Sequence, residues 1–310
     1  MQKYIIRRLL LAIPTIVGAI TLVWFAMQLA PGDPALMFVP PDYQGEDAAA
    51  YLEKINEKYG FNDPLPLQYA RYMRNTLGFD FGTSLRTMRP VSEDLVRRVP
   101  NSVRLGVAAF LLAAAMGISL GVLAAIKRGT WVDSALMVFA LVGVSMPSFW
   151  FAYVLILLFG LYIPILPPSG LGGVKHMILP TIVLGYGSAG SLTRYVRSSM
   201  LEVINQDFVR TARSKGVSER NVLIKHALRN GLLPVVNVLG INLAFILAGS
   251  IIVESVFAWP GVGLYLFDGV QGRDFPVVQG ACLLIAASVV LVNLLTDVML
   301  VLVDPRIRFE

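Results

Sequence analysis

The chain has 310 residues, of which 56% are hydrophobic and 15% are charged, with a mean hydropathy of +0.67. One water-soluble domain could not cover that much hydrocarbon, so the composition predicts a polytopic membrane protein. The formal charge of +6 comes from basic residues beside apolar segments, without interleaved aromatics. This pattern favours anionic lipid and acidic protein surfaces over nucleic acid. Cys282 is the only cysteine, which excludes an intramolecular disulfide.

Six apolar segments are long enough to form transmembrane helices. They cover residues 9–30, 102–126, 132–160, 178–199, 232–253 and 279–302. Lys3, Arg7 and Arg8 precede the first segment and give it the look of a signal peptide. Its length is that of a membrane span, roughly 20 residues, whereas a cleaved apolar region has about 7 to 15. We therefore predict a retained first helix.

Residues 31–101 differ from the rest, with ten acidic and eight basic side chains, several prolines and no apolar span. The hydrophobic spacing predicts short helices over 47–59 and 67–77, and the paired glycines of LGFDFGTSL predict a tight loop. This stretch is expected to be a small α-rich extracytoplasmic insert. Residues 254–278 are expected to form an irregular outer segment.

Charge sets the expected orientation. With the N-terminus in the cytoplasm, the inner segments carry 15 Lys/Arg and 7 Asp/Glu, and the outer segments carry 11 and 13. The excess of positive charge inside predicts an all-α protein with six transmembrane helices and both termini cytoplasmic. The expected division is 1–30 as N-terminal segment and first helix, 31–101 as insert, and 102–310 as a five-helix core with a cytoplasmic loop at 200–231.

Residues 207–234 are the longest basic interruption in the apolar second half. Asp207 is predicted to cap a short helix that ends at Gly216. On that helix, one face holds Phe208, Val209 and Ala212, and another holds Arg210, Arg213 and Ser214. Ser218 is predicted to cap a second helix that runs to Asn230 and on into the fifth span, with Pro234 as the possible kink. On composition alone, a solvated basic loop is the competing interpretation.

The sequence lacks the common motifs for nucleotide binding, zinc binding and serine catalysis. The chain has no Gly-Lys pair, hence no P-loop, and it is not expected to hydrolyse ATP itself. His176 and His226, the only histidines, fall on opposite sides of the predicted membrane. Residues 187–191 match Gly-x-Ser-x-Gly in composition only. We expect no catalytic residues, no cofactor and no metal.

Polar residues inside the predicted spans are costly in hydrocarbon and usually face the interior of a bundle. The set comprises Tyr186, Asn237, Asn242, Asn293 and Asp297. Tyr186, Asn237 and Asn242 are the candidates for a polar translocation path, and hydrogen bonding to a neighbouring helix is the alternative for each. Asp297 is expected to pair with Arg306 or another nearby cation.

Seven ordered motifs carry a resemblance to a known family. They are APGDP at 30–34, FGTSL at 81–85 followed by PV at 90–91, LPPSG at 166–170, RTARSKG at 210–216, HALRN at 226–230, VFAWPG at 256–261 and VDPR at 303–306. The chain thereby resembles the permease subunits of binding-protein-dependent ABC importers, in their dipeptide/oligopeptide branch. The resemblance covers essentially the whole chain.

The resemblance implies a type I ABC importer permease in the cell membrane of a bacterium or archaeon. Its implied partners are a second homologous permease, two cytoplasmic ABC ATPase subunits, an extracytoplasmic solute-binding protein and the lipid bilayer. Solute would cross along a path at the permease interface. The insert and the Trp259-Pro260-Gly261 segment would form the outer platform for the binding protein.

The resemblance also implies that 207–216 is the segment that couples the permease to its ATPases. Its contact residues would be Asp207, Phe208, Val209, Arg210, Ala212, Arg213 and Gly216. The apolar members would fill a groove on an ATPase and the arginines would meet an acidic rim. The segment departs from the family's Glu-Ala-Ala-x-x-x-Gly consensus, since Arg210 and Thr211 replace the Glu and the first Ala.

The implied function is ATP-powered import of peptides or similar small solutes. The solute itself stays open among dipeptides, oligopeptides, glutathione, nickel chelates and sugars. The alternative is a non-transporting scaffold or a gated channel that uses the basic loop as an interaction site. A membrane enzyme is disfavoured because no acid, base and nucleophile are grouped.

A reporter fused near Asn75 tests the predicted topology. Because the insert is expected on the extracytoplasmic side, a reporter that works only on that side should be active at this position. A reporter that works only in the cytoplasm should be inactive there. A fusion at the turn containing Lys127 and Arg128 is the matched cytoplasmic control. Cytoplasmic activity of the Asn75 fusion would contradict the six-span arrangement.

Overall fold

The computed structural model describes residues 2–29, 45–60 and 62–303. These residues form thirteen α-helices. In chain order they are α1 (Gln2–Gln28), α2 (Glu46–Tyr59), α3 (Leu65–Leu77), α4 (Val91–Ile126), α5 (Trp131–Ser145), α6 (Ser148–Ile156), α7 (Val174–Ile204), α8 (Asp207–Ser214), α9 (Glu219–Asn221), α10 (Arg229–Gly231), α11 (Leu233–Val256), α12 (Val262–Gln271) and α13 (Phe275–Val303). Two π-helical segments, Leu157–Tyr162 and Val222–Leu228, follow α6 and α9. The motif at 30–34 and the side chain of Arg306 lie outside the described residues.

The two short helices predicted in the insert are present as α2 and α3. Gly60 ends α2 in the left-handed conformation, with φ of 66°. The described part of the insert is bonded to two places in the rest of the chain. Tyr69 in α3 shares a hydrogen bond of 2.7 Å with Thr21 of α1, and Ser84 donates one of 2.6 Å to Asp274, which lies just before α13.

Helices α4 and α7 pack along one another and form the centre of the bundle. At Gly117 and Gly121 of α4, an added Cβ would lie 2.7 Å from the side chains of Leu192 and Val196. Small residues at four-residue spacing therefore let the two backbones approach closely.

The segment predicted to span the membrane over 132–160 is a bent pair of helices. Helices α5 and α6 meet at an angle of 103°, and the break falls at Met146 and Pro147. Proline disfavours the helical conformation of the residue before it, and Met146 is accordingly extended, with ψ of 124°. A second bend, of 53°, separates α9–α10 from α11. It falls at Leu232, so Pro234 sits in the first turn of α11.

Length and apolar composition mark α4 and α13 as uninterrupted candidate membrane spans. The number rises to four among the described residues if each bent pair counts as one span. Helix α7 is central to the bundle but is not among these candidates.

Candidate functional site

The predicted helix of the cytoplasmic loop is present as α8, but it begins differently. Gln206 occupies the N-cap position, and Asp207 is the first helical residue, so the predicted capping role of Asp207 is wrong. Its side chain is 97% exposed and lies 3.7 Å from Arg210. A carboxylate in the first turn still favours the helix through the helix dipole.

The apolar residues of α8 do not share one outward face. Val209 and Ala212 are buried in a small cluster with Val222, against which Val203 and Val217 also pack. Phe208, in contrast, keeps 40% of its surface exposed. Val209 and Ala212 therefore hold the loop together and are not available to a partner in this structure. Successive residues point about 100° apart on a helix, which separates Phe208 from Val209.

Gly216 has the backbone conformation expected of a residue that ends α8. Its φ is +77°, and the Gly216 amide donates to the Arg213 carbonyl at 2.9 Å. The Val217 amide bonds back to the Ala212 carbonyl at 3.3 Å. An added Cβ at Gly216 would meet nothing within 4 Å, so the backbone angle alone requires glycine there.

The two arginines of α8 have different surroundings. Arg213 donates two hydrogen bonds to Glu219, of 2.7 and 3.1 Å, and so clasps α9 to α8. The Arg213 guanidinium holds the pKa of the Glu219 carboxyl below its usual value. Arg213 is thus paired with a residue of its own loop. Its predicted role was a contact with the acidic rim of an ATPase groove. Arg210 is exposed and has only the long contact with Asp207.

The helix after the bend is fastened to α7. Ser218 is at the N-cap position of α9 as predicted, but its side chain forms no cap hydrogen bond, and its carbonyl accepts only the ordinary helical bond from the Val222 amide, at 2.9 Å. Further on, Ser199 of α7 donates to the Gly231 carbonyl at 2.7 Å, and both residues are buried. This bond therefore joins the two ends of the predicted coupling segment, residues 200–231.

The candidate path residues fall in different environments. Tyr186 is buried, donates to the Phe139 carbonyl at 2.9 Å and packs against the rings of Phe139 and Phe151. That arrangement matches the structural alternative, a tie between α7 and the α5–α6 pair. Asn237 is exposed on α11. Asn242 has a buried amide nitrogen that finds no hydrogen-bond partner within the described residues.

The Trp259-Pro260-Gly261 segment is an interior turn and not a surface platform. Trp259 is only 1% exposed, and its indole N–H donates to the Asn101 carbonyl at 3.1 Å. The Asn101 side chain in turn donates to the Pro260 carbonyl at 2.9 Å. The segment expected to be irregular contains the ten-residue helix α12, directly after this turn.

Glu254 organises this turn, a role that sequence reasoning missed. Its buried carboxylate accepts hydrogen bonds from the Ser102 hydroxyl and from the amides of Gly263 and Leu264, at 2.7 to 3.1 Å. A carboxylate at the start of α12 satisfies amides that have no partner within the helix. The one available signal was an acidic residue at the end of an apolar span.

This arrangement of helices matches solved membrane subunits of ABC transporters. The chain is similar to a subunit of the inward-facing MetNI methionine ABC transporter, with a TM-score of 0.58, 21% identity and coverage of 68% of this chain and 96% of that one. An amino acid ABC transporter crystallised with histidines gives a TM-score of 0.50 at 16% identity, over 70% of this chain and 95% of that one. The fold is therefore that of a type I ABC importer permease.

The family follows from sequence. Residues 117–309 match the family described as binding-protein-dependent transport system inner membrane component. Residues 1–106 match a second family, described as the N-terminal part of the membrane component of such systems. The chain belongs to this family of transport permeases.

Three relatives match over 100% of this chain and of their own. The dipeptide transport system permease protein DppB of Escherichia coli is 40% identical over 342 residues. The glutathione transport system permease protein GsiC of Salmonella paratyphi A is 39% identical over 310 residues. The oligopeptide transport system permease protein AppB of Bacillus subtilis is 38% identical over 320 residues. The predicted resemblance to the peptide branch is confirmed.

Replacing Gly216 by valine should loosen the end of α8. A side chain with positive φ costs roughly 1–2 kcal/mol, which makes the opened loop roughly 5- to 30-fold more populated. The rate of trypsin cleavage after Lys215 in the purified protein measures this population. Gly216→Asn is the control, since asparagine tolerates the left-handed conformation. Equal cleavage rates in the valine variant and the wild type would contradict the argument.

Proposed function

We propose that this permease moves di- or oligopeptides, or similar small solutes, into the cell. The support is chemical: the three relatives are named for dipeptides, oligopeptides and glutathione, all of them short amide-linked chains with charged ends. Each matches this chain over its full length. We assign ATP hydrolysis to two separate cytoplasmic subunits. An extracytoplasmic binding protein is assigned the role of delivering solute to the permease.

The proposed topology has six crossings with both termini in the cytoplasm. The crossing elements are α1, α4, the bent α5–α6 pair, α7, α11 and α13. The proposed divisions remain 1–30, 31–101 and 102–310. In this arrangement, the coupling segment and the α4–α5 turn lie on the cytoplasmic side. The insert and α12 lie outside.

The observation that carries the proposed mechanism is the exposed face of α8. Phe208 presents an aromatic ring on a basic loop, and Arg210, which points roughly 200° away around α8, is also exposed. Aromatic and arginine side chains are the usual anchors of protein interfaces. The core beneath α8 and the Arg213–Glu219 clasp give this face a fixed shape. An ATPase surface with an apolar pocket and nearby carboxylates fits it.

A rigid loop suits the transfer of force. If ATPase closure displaces α8, the Ser199–Gly231 bond makes the end of α7 and the start of α11 move together. The proposed role of Val209 and Ala212 thereby changes from docking to internal support. Gly216 supplies the bend that folds α9 back against α8.

The other proposed surfaces follow from exposure. Trp259, Pro260 and Gly261 support the outer platform from within, and the exposed side of the insert becomes the proposed contact for the binding protein. On α11, the exposed Asn237 and the unsatisfied amide of Asn242 keep these two as proposed path residues. The second permease would complete such a path.

Phe208→Asp tests docking on α8. Placing a carboxylate in an apolar pocket should weaken ATPase association and lower uptake by roughly 30-fold, as expected for an interface anchor worth about 2 kcal/mol. Co-purification of the ATPase and solute uptake by proteoliposomes are the measurements. Ile224→Asp is the matched control, because Ile224 is 51% exposed in the same loop. Normal uptake with normal binding-protein-stimulated ATP hydrolysis in the Phe208→Asp complex would refute the docking role.

The solute class is tested with the purified complex and its binding protein in proteoliposomes. A panel of a dipeptide, a tetrapeptide, glutathione, a nickel chelate and a disaccharide is supplied, and ATP hydrolysis and uptake are measured together. The proposal expects stimulation by at least one of the three peptides. Stimulation by the nickel chelate or the disaccharide alone would overturn the peptide assignment, and ATP-independent flux would indicate a channel.

A further inference from the structure

Helix α7 is joined to α5 by a close ion pair near the cytoplasmic end of both. The Arg197 guanidinium donates to both carboxylate oxygens of Asp133, with distances of 2.6 and 2.7 Å. Asp133 also accepts the Gly129 amide at 3.0 Å. The contact therefore ties three elements together: α5, the turn that leads into it, and α7.

Burial and geometry indicate a positioning role. The Asp133 side chain is buried and that of Arg197 is about three-quarters buried. Such pairs add little net stability, because the cost of desolvating the charges offsets their attraction. They do fix geometry, since a two-bond arginine–carboxylate contact allows only one relative orientation of the two helices.

The pair has a counterpart on the opposite side of α7. Ser199 follows Arg197 by two residues and points roughly 200° away around the helix. It bonds to Gly231 at the end of α10. Just below both residues, α7 ends at Ile204 and the chain passes into α8. Helix α7 is thus clamped on two sides immediately above the segment that we propose is pushed.

We propose that Asp133 and Arg197 are positioning residues for energy coupling: they hold α5 to α7, so that displacement of α8 moves both helices as one body. The inference rests on the proposed docking role of α8. Arg128 is the other charged group that acts electrostatically on Asp133, and among the described residues it forms no ion pair with it. Without the pair, the start of α5 loses its polar tie to the end of α7, and the contacts further along the two helices, such as the hydrogen bond from Tyr186 to the Phe139 carbonyl, have to carry the motion alone.

The test uses the complete transporter with ATPases and binding protein in proteoliposomes, with a solute that the wild type imports from the panel above. Arg197→Lys keeps the charge but loses the two-bond contact. We expect ATPase assembly and ATP hydrolysis within about twofold of wild type, and uptake per ATP reduced roughly 5- to 10-fold. Arg194→Lys is the matched control, because Arg194 lies on α7, is exposed and has no ion pair within the described residues.

A covalent replacement separates coupling from simple loss of structure. Asp133→Cys with Arg197→Cys, in a Cys282→Ala background, should be uncoupled while both thiols are free, and it should regain uptake per ATP when a short bis-maleimide cross-linker, which adds one thiol across each of its two C=C bonds, joins the two positions. Failure of the cross-link to restore uptake, while ATP hydrolysis continues, would overturn the proposal.

The two proposals fail separately. Unchanged uptake per ATP in Arg197→Lys, where Phe208→Asp still uncouples, overturns the clamp and leaves docking on α8 intact. Normal uptake in Phe208→Asp overturns the docking role itself.

Discussion

The close approach of α4 to α7 is the contact on which the other helices depend. Helices in lipid gain little from the hydrophobic effect and associate mainly through van der Waals packing. Glycines at 117 and 121 remove the side chains that would keep the backbones apart, and Leu192 and Val196 fill the space. With α4 on one face, α7 receives α5 and α11 on others. The same helix then leads directly into α8, so the best-packed element of the bundle ends in the proposed site of force.

The coupling segment combines internal order with an exposed contact face. Its small apolar core around Val209 and the Arg213–Glu219 clasp fix α8 relative to α9. The Ser199–Gly231 bond then closes the segment at the membrane. Each contact is modest, since exposed ion pairs and single hydrogen bonds contribute about 1 kcal/mol or less. Because these contacts act together on one short loop, they fix the direction in which the apolar side chain of Phe208 points.

Much of this could be read from local pattern. The membrane class, the two insert helices, α8 and the bend at Gly216 all follow from composition, spacing and the special backbone freedom of glycine. Which side chains contact one another inside the molecule could not be predicted from these local patterns. Val209 and Phe208 look alike in sequence, yet one is buried in the loop and the other is exposed. Likewise, Trp259 was predicted to lie in a surface platform, yet its side chain lies in the interior.

The sequence by itself determined that this chain is a helical membrane permease, because apolar length, charge distribution and ordered motifs are properties of the chain taken in order. Only the tertiary structure decided which polar groups meet. Asp133 and Arg197 are 64 residues apart, and Ser102 and Glu254 are 152 apart. No local period encodes such pairs, since they arise when packed helices bring distant positions to the same depth. The residues proposed to transmit force and the residues proposed to touch a partner are therefore distinguished by packing.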